Sequence, residues 1–254
     1  MAYKTLHITN SHHPASGGIR VFYNAMLQAA NTRRRLLRLV VPGETSGVEE
    51  VGEFGRIYTV AAPRSPFFDS RYRMILPHTY TWPGDTALRK IFAIEQPDLV
   101  EVCDKFWLAY LPSVLRREWI PGVPAPALIG LSCERLDDGM SAYLSKSRVA
   151  EGLCEFYMRS CYAPRFDFHI AVSDYVAAEI RRVLPERLSG CLEVAGMGVD
   201  WEFFGRKRDI RAVRADLLQK LGVGPDAILL FYAGRLSEEK NLGLLATTMA
   251  KLGP

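Results

Sequence analysis

Ile228-Leu229-Leu230-Phe231-Tyr232-Ala233-Gly234-Arg235-Leu236-Ser237-Glu238-Glu239-Lys240-Asn241 reads as an apolar strand that runs into a glycine turn and then into the start of a helix. The first N–H groups of a helix have no partner within it and carry partial positive charge, so such a corner suits an anion. Arg235 would add a bidentate guanidinium and Lys240 a point charge, two shapes that match phosphate oxygens. A second reading stands beside it: a plain strand-to-helix corner whose Arg235 and Lys240 pair with Glu238 and Glu239 in solvent. Which applies depends on the units that precede this one.

Working backwards and outwards, the same alternation recurs. Residues 6–9 read as a first strand, 10–16 as a polar loop, and Gly17-Gly18 opens a helix over 19–30 with apolar residues at helical spacing. A second strand is expected over 36–41, stopped by Pro42-Gly43, and another over 56–60 after a turn-rich stretch from 43 to 55. Residues 62–83 hold many prolines and aromatics and read as a long ordered loop or broken helix. From Thr86 the pattern is regular: helix 87–94, strand 98–103, helix 108–117, strand 126–132, a long helix over about 141–161, strand 168–172, a Ser173-capped helix to 184, and strand 191–195. Strands and helices that alternate with short connections predict a parallel sheet covered on both faces, with ligands at the carboxyl ends of its strands. Those ends carry residues 10–18, Asp104, residues 132–137 and Ser173. Gly196 to Asp200 break the pattern, and the domain boundary is placed there: residues 1–200 form the first domain. Residues 201–254 form a hinge and the first helix (209–221), strand (227–232) and helix (242–252) of a second. A lone unit of this kind cannot cover its apolar faces, so either it packs on the first domain or the second domain needs further chain.

Composition narrows the function classes. The 254 residues carry a net charge of +4, too little to argue for nucleic acid and compatible with an anionic ligand or an anionic membrane surface. The five cysteines include no C-x-x-C pair, which predicts no zinc site and no disulfide framework. No run approaches the roughly 18 apolar residues of a membrane helix, and the start has no signal-peptide architecture. The expected location is the cytoplasm, with peripheral contact to the inner face of a membrane as its variant.

Several motifs are rejected on context. Gly222-Val223-Gly224-Pro225-Asp226-Ala227 has a dinucleotide-like spacing but precedes a strand instead of following one. There is no P-loop, no G-x-S-x-G, and no D-x-D to hold a metal–diphosphate. His12-His13 lacks a third ligand, so no metal is expected. His7 and His169 fall in strands and read as core or rim residues.

Several segments together resemble the GT-B retaining glycosyltransferases, family 4 ("glycosyl transferase group 1"). Gly17-Gly18-Ile19-Arg20-Val21 resembles the family's first glycine loop, and Pro97-Asp98-Leu99-Val100-Glu101-Val102-Cys103-Asp104 its "PDxxHxHD" strand. His169-Ile170-Ala171-Val172-Ser173 resembles "xIxVS". Val194-Ala195-Gly196-Met197-Gly198-Val199-Asp200, with Phe204, resembles "xPxGVDxxxF", and Ala233 to Asn241 resemble "VGRLxxEKN". The order matches along the whole chain.

The resemblance implies two Rossmann-like domains, an acceptor-side first domain and a nucleotide-sugar-binding second one. It implies a retaining, metal-independent enzyme that moves a hexose from a nucleotide diphosphate sugar to a saccharide or lipid acceptor, with no cofactor. The "ERLD"-like segment points towards mannose. Arg235 and Lys240 would neutralise the donor diphosphate, and Gly17 and Gly18 would approach the same phosphates. Arg20, Glu134 and Arg135 fall on the acceptor side; Asp104 would orient the acceptor hydroxyl, and Cys133 occupies a position usually histidine. Glu101 and Cys103 likewise stand where the strand motif has histidines. The family's E-x-x-x-x-x-x-x-E motif is absent, and a full second domain would need roughly another 120–150 residues, so the chain as given is expected to be inactive. Two competitors remain: a non-catalytic module that binds a sugar or lipid, and another GT-B enzyme such as a sugar-nucleotide epimerase.

Overall fold

The structure is a computed structural model and describes residues 3–14, 17–65, 70–138, 148–234 and 241–252. The chain divides into two compact units, Met1–Met197 and Gly198–Pro254.

The first unit is built on an eight-stranded sheet. Its strands are β1 (Lys4–Thr9), β2 (Leu36–Gly43), β3 (Gly47–Val51), β4 (Gly55–Ala61), β5 (Leu99–Cys103), β6 (Ala127–Ser132), β7 (Phe168–Ala171) and β8 (Leu192–Val194). They lie in the order β3-β4-β2-β1-β5-β6-β7-β8, and every pairing is parallel except β3 with β4. The central strands are near-continuous apolar runs because both of their faces are covered. Helix α1 (Gly18–Thr32) follows β1 and buries Tyr23, Leu27 and Ala30 against Leu37, Leu39, Val41, Cys103 and Leu131. On the other core side lie the short helix α2 (His78–Thr81), α3 (Ala87–Glu95), α4 (Leu111–Arg116), α5 (Arg148–Tyr157) and α6 (Asp174–Val183).

Three expectations are corrected here. The second strand does not stop at Pro42. Its β1 partners run out at Val40, so beyond that point β2 pairs only with β4, and a residue without an N–H is tolerated on such an edge. The turn-rich stretch holds β3, an exposed antiparallel edge strand whose Gly-Val-Glu-Glu-Val sequence carries no apolar alternation. The expected strand at 227–232 is not formed: Ile228 is 88% and Phe231 91% exposed, and no strand pairs with this segment among the described residues. A strand needs a neighbour for its backbone groups, and sequence propensity cannot supply one. The long helix expected over 141–161 is seen from Arg148; it continues past Tyr157 as a wider-turned segment to Tyr162, and residues 139–147 lie outside the described residues.

The second unit holds helices α7 (Trp201–Phe204), α8 (Ile210–Leu221) and α9 (Leu242–Leu252). Asp209 caps α8 by accepting from the N–H groups of Arg211 and Ala212, and Gly222 ends it at φ 66°. Leu218 is its one buried apolar side chain among the described residues.

At the amino ends of the strands, Glu95 from the end of α3 is 2% exposed and gathers three cations. Lys4 Nζ lies 3.0 Å, Arg38 Nε 3.0 Å and Arg56 Nη1 2.8 Å from its carboxylate, and Tyr58 Oη donates to it at 2.5 Å. Burial works against ionisation, but the hydrogen bonds from Tyr58 and Lys4 and the Arg38 charge outweigh it and hold Glu95 at a pKa of about 2. One carboxylate thus ties α3 to β1, β2 and β4. In β6, Gly130 lets the aromatic cluster of Tyr162, Phe166 and His169 close on the strand: an added Cβ would meet these three at 3.0–3.2 Å. Burial holds His169 down at a pKa of about 4.

Both shifts act in one direction. A carboxyl or imidazole whose folded pKa is depressed stabilises the fold above its unfolded pKa and loses that contribution as pH falls. His169 therefore withdraws stability between its ordinary 6.5 and about 4, and Glu95 between 4.5 and about 2. Melting temperature should fall steadily below pH 6.5. Glu95→Gln should cost about 3–5 kcal/mol at pH 7 by leaving buried Arg38 uncompensated and should flatten the profile below pH 4.5. Denaturant melts of both proteins across this range check it; an unchanged low-pH slope in the variant rules out the Glu95 assignment.

Candidate functional site

The parallel strands leave their carboxyl ends on one edge. After β1 the chain turns to α1 and on to β2 on one side, whereas β5 pairs with β1 on the other. The connections diverge at that point and open a crevice, the usual ligand position of such sheets.

The β1 side of the crevice is a cleft of about 240 Å³ lined by Asn10, His12, His13, Pro14, Pro42, Gly43, Glu44 and Arg73. Asn10 fixes its floor. Its side chain accepts from Ile75 N–H at 2.8 Å and donates to Asp104 Oδ2 at 3.1 Å, which ties Ile75 and the β5 end together. Arg73 donates to the Ala62 carbonyl at 2.8 Å and faces Glu44 at 3.5 Å. Burial, reinforced by the Arg20 charge, lowers the His12 pKa below 6.5 against the hydrogen bond with Asn24, so its imidazole is neutral at pH 7. A neutral imidazole, a guanidinium and a carboxylate around one cleft suit a polar or anionic small molecule more than an apolar one.

Gly17 and Gly18 sit beside this loop at the start of α1. Both are exposed, the N-cap residue Gly17 has no side chain to cap the helix, and among the described residues a Cβ at Gly17 would meet nothing within 4 Å. Arg20, one turn on, donates to the Pro14 carbonyl at 3.4 Å. Arg235 and Lys240 lie outside the described residues.

The other expected residues serve the frame of the crevice. Asp104 Oδ1 accepts from the N–H groups of Phe106 at 2.7 Å and Leu108 at 3.0 Å, while Oδ2 takes the Asn10 amide. Burial raises its pKa against these bonds. Arg135 forms a bidentate pair with Asp137 and stacks on Tyr175, its guanidinium carbon 4.7 Å from the ring centre. The Glu134 carbonyl accepts from Lys105 Nζ at 2.5 Å. Cys133, at the exit of β6, places its sulfur 3.6 Å from that of Cys103, at the exit of β5.

Two buried networks escaped the sequence. Lys105 Nζ lies 2.6 Å from Glu179 Oε2, and Glu179 Oε1 accepts from the N–H groups of Leu136 at 2.8 Å and Asp137 at 3.2 Å. This pair joins the β5 loop, the β6 loop and α6. Beneath the crevice, Glu101 Oε1 accepts from Tyr23 Oη at 2.9 Å and meets His7 Nδ1 at 2.9 Å, which fixes α1 to β1 and β5. His7 is thus a satisfied core residue, as read. A charged residue inside an apolar strand, such as Glu101, is the one signal that could have flagged these contacts. Among the described residues no group of three His, Cys, Asp or Glu side chains is placed to hold a metal ion, and no helix is long and apolar enough to cross a membrane.

Glu179→Gln should cost about 3–5 kcal/mol, because Lys105 stays buried without its counter-charge. Combining Lys105→Met with Glu179→Leu should recover most of that loss, since a buried pair replaced by apolar groups is often neutral. The N–H groups of residues 136 and 137 would still lack their acceptor, so their hydrogen exchange should stay fast in the double variant. Slow exchange there would show that Glu179 does not hold the loop.

No protein-family model matches the chain, and no curated protein matches its sequence. Solved structures do. A glycosyltransferase from Rickettsia africae ESF-5 is similar with a TM-score of 0.56 at 12% identity, over 99% of this chain and 58% of that one. The catalytic domain of starch synthase IV from Arabidopsis thaliana, bound to ADP and acarbose, is similar with a TM-score of 0.55 at 11% identity, over 99% of this chain and 66% of that one. At such identities the likeness is one of fold: this chain has the mixed α/β fold of these glycosyltransferase structures and spans 58% and 66% of their lengths.

Proposed function

We propose that the chain is the acceptor side of a glycosyltransferase that moves a hexose, mannose by the resemblance, from a nucleotide diphosphate sugar to a saccharide or lipid acceptor with retention. The observation that carries this reading is the polar cleft at the ends of β1 and β2, beside the glycine start of α1, on a fold shared with glycosyltransferase structures. In this reading the N–H groups at Gly17 and Gly18 approach the donor diphosphate, whose charge Arg235 and Lys240 are assigned to neutralise. Charge builds on that leaving group as the glycosidic bond breaks, so cations and helix N–H groups aimed there act most strongly in the transition state and need no metal. The cleft takes the acceptor, with Asp104 holding the Asn10 floor, and Arg20, Glu134 and Arg135 are assigned to the acceptor side by the resemblance. Donor transfer belongs to a two-domain protein, and residues 1–200 and 201–254 are assigned to its two domains. A cytoplasmic location, with or without contact to a membrane face, accords with this role.

A second reading has its own support. All the hydrogen bonds of Asp104 go to the scaffold, and Cys133 supplies a thiol where the resembled motif has an imidazole. Both favour a non-catalytic module that binds the saccharide or lipid.

Amide NMR titrations of the chain with a panel of sugar nucleotides, and separately with saccharides, distinguish the two. The transferase reading expects sugar nucleotides to shift the Gly17 and Gly18 amides. Gly18→Ala should weaken that binding about tenfold, ~1.4 kcal/mol. The added methyl would meet only Met197 Sδ at 3.9 Å, so the fold should be unaffected. Shifts with saccharides alone favour the module, and no shift with either class defeats both.

A further inference from the structure

Cys103 closes β5 and Cys133 follows the last residue of β6, on neighbouring parallel strands in which Val102 stands opposite Gly130. Cys103 shares its strand face with Glu101, and both cysteines pack in the α1-side core. Their sulfurs lie 3.6 Å apart, the one cysteine–cysteine contact among the described residues. The two are unequal. Cys103 is buried and Cys133 half-buried at the carboxyl end of β6, so a solute reaches the pair through Cys133. Cys133 is also the movable partner, since the ladder ends one residue earlier, where the Ser132 carbonyl accepts from Val172 N–H.

We propose that Cys103 and Cys133 are a thiol–disulfide site set into the crevice, closed by a peroxide and reopened by a small thiol, and that closure re-aims the segment carrying Glu134 and Arg135. The proposal stands on this contact and does not depend on glycosyl transfer. In the first step the Cys133 thiolate attacks one peroxide oxygen and the O–O bond breaks. Hydroxide departs and is protonated to water, and the sulfur becomes a sulfenic acid. In the second step the Cys103 sulfur attacks that of Cys133, the S–O bond breaks, and the oxygen leaves as water with the Cys103 proton. The sum is two thiols and one peroxide to one disulfide and two waters. The hydrogen bond to Cys133 and burial both raise the Cys103 pKa, which makes Cys103 the proton-bearing partner and Cys133 the first to react.

A disulfide needs its sulfurs about 2.05 Å apart. The closing motion falls on Cys133, outside the ladder, and pulls on Glu134, whose carbonyl is held by Lys105. Oxidation therefore sets the β5 end against the anchor that Lys105 and Glu179 provide.

The test uses the whole chain, reduced and then treated with hydrogen peroxide in steps, followed by alkylation and peptide mass mapping. A Cys103–Cys133 disulfide should form first, while Cys154, Cys161 and Cys191 are still alkylated, and dithiothreitol should reverse it. Hydrogen exchange at residues 134–138 should change on oxidation in the parent protein and not in Cys133→Ser, whose unchanged melt would show that it folds. Cys103 and Cys133 both alkylated after other cysteines have oxidised would overturn the site. A disulfide formed without any change at 134–138 would overturn the re-aiming.

Discussion

The crevice edge on the β6 side depends on one buried ion pair. A carboxylate or an ammonium taken out of water alone costs several kcal/mol, so neither Lys105 nor Glu179 can occupy its position without the other. Glu179 uses both oxygens: one for the ammonium, the other for two backbone N–H groups of the β6 loop. Lys105 spends a further proton on the Glu134 carbonyl. Three segments far apart in sequence therefore converge because the charges that hold them would otherwise be stranded. The bend at Cys133 to Arg135 gains a fixed shape because the N–H groups of Leu136 and Asp137, at the start of the helical turn that follows, are held by Glu179.

The amino edge of the sheet is closed in the same way by Glu95, with the difference that three cations and a phenol surround a single carboxylate. The polar groups gathered at that edge meet one another. At the carboxyl edge the balance is less complete: α1 begins at a glycine N-cap, its glycines are exposed, and the adjoining cleft is lined by an imidazole, a guanidinium and a carboxylate. A parallel sheet thus concentrates unmet hydrogen-bonding capacity at one end, and a ligand can bind there without displacing the interactions that hold the fold.

What could be read from sequence follows from this division. Apolar periodicity reports burial against a continuous sheet, so the strand–helix alternation was legible, and so was the loop after β1; the contributions of Pro42 to Glu44 and of Arg73 to the cleft were not. Pairing between distant charges leaves no local pattern. Lys105 and Glu179 are 74 residues apart, and Arg56 and Glu95 39, so each looks like an ordinary surface charge until the fold brings them together. β3 was hidden for the opposite reason: an exposed edge strand needs no apolar face. Residues 227–232 have strand-forming side chains and no partner, and the partner decides. Asp104 was legible as a loop-opening residue, but its commitment to two backbone N–H groups and Asn10 was not.

The three departures from the resembled motifs, Glu101, Cys103 and Cys133, also become one arrangement in space. Glu101 carries a charge into the sheet and is satisfied by Tyr23 and by His7 from the neighbouring strand. That fixes the Tyr23 phenol beside Cys103 and raises the Tyr23 pKa well above its ordinary value, through burial and then the nearby Cys103 and Glu101. With Tyr23 and Cys103 both buried, Cys133 is the more exposed of the two sulfurs. The three residues are therefore linked in space: Glu101 is met by Tyr23 and His7, and the two sulfurs lie at the exits of the strands beside it.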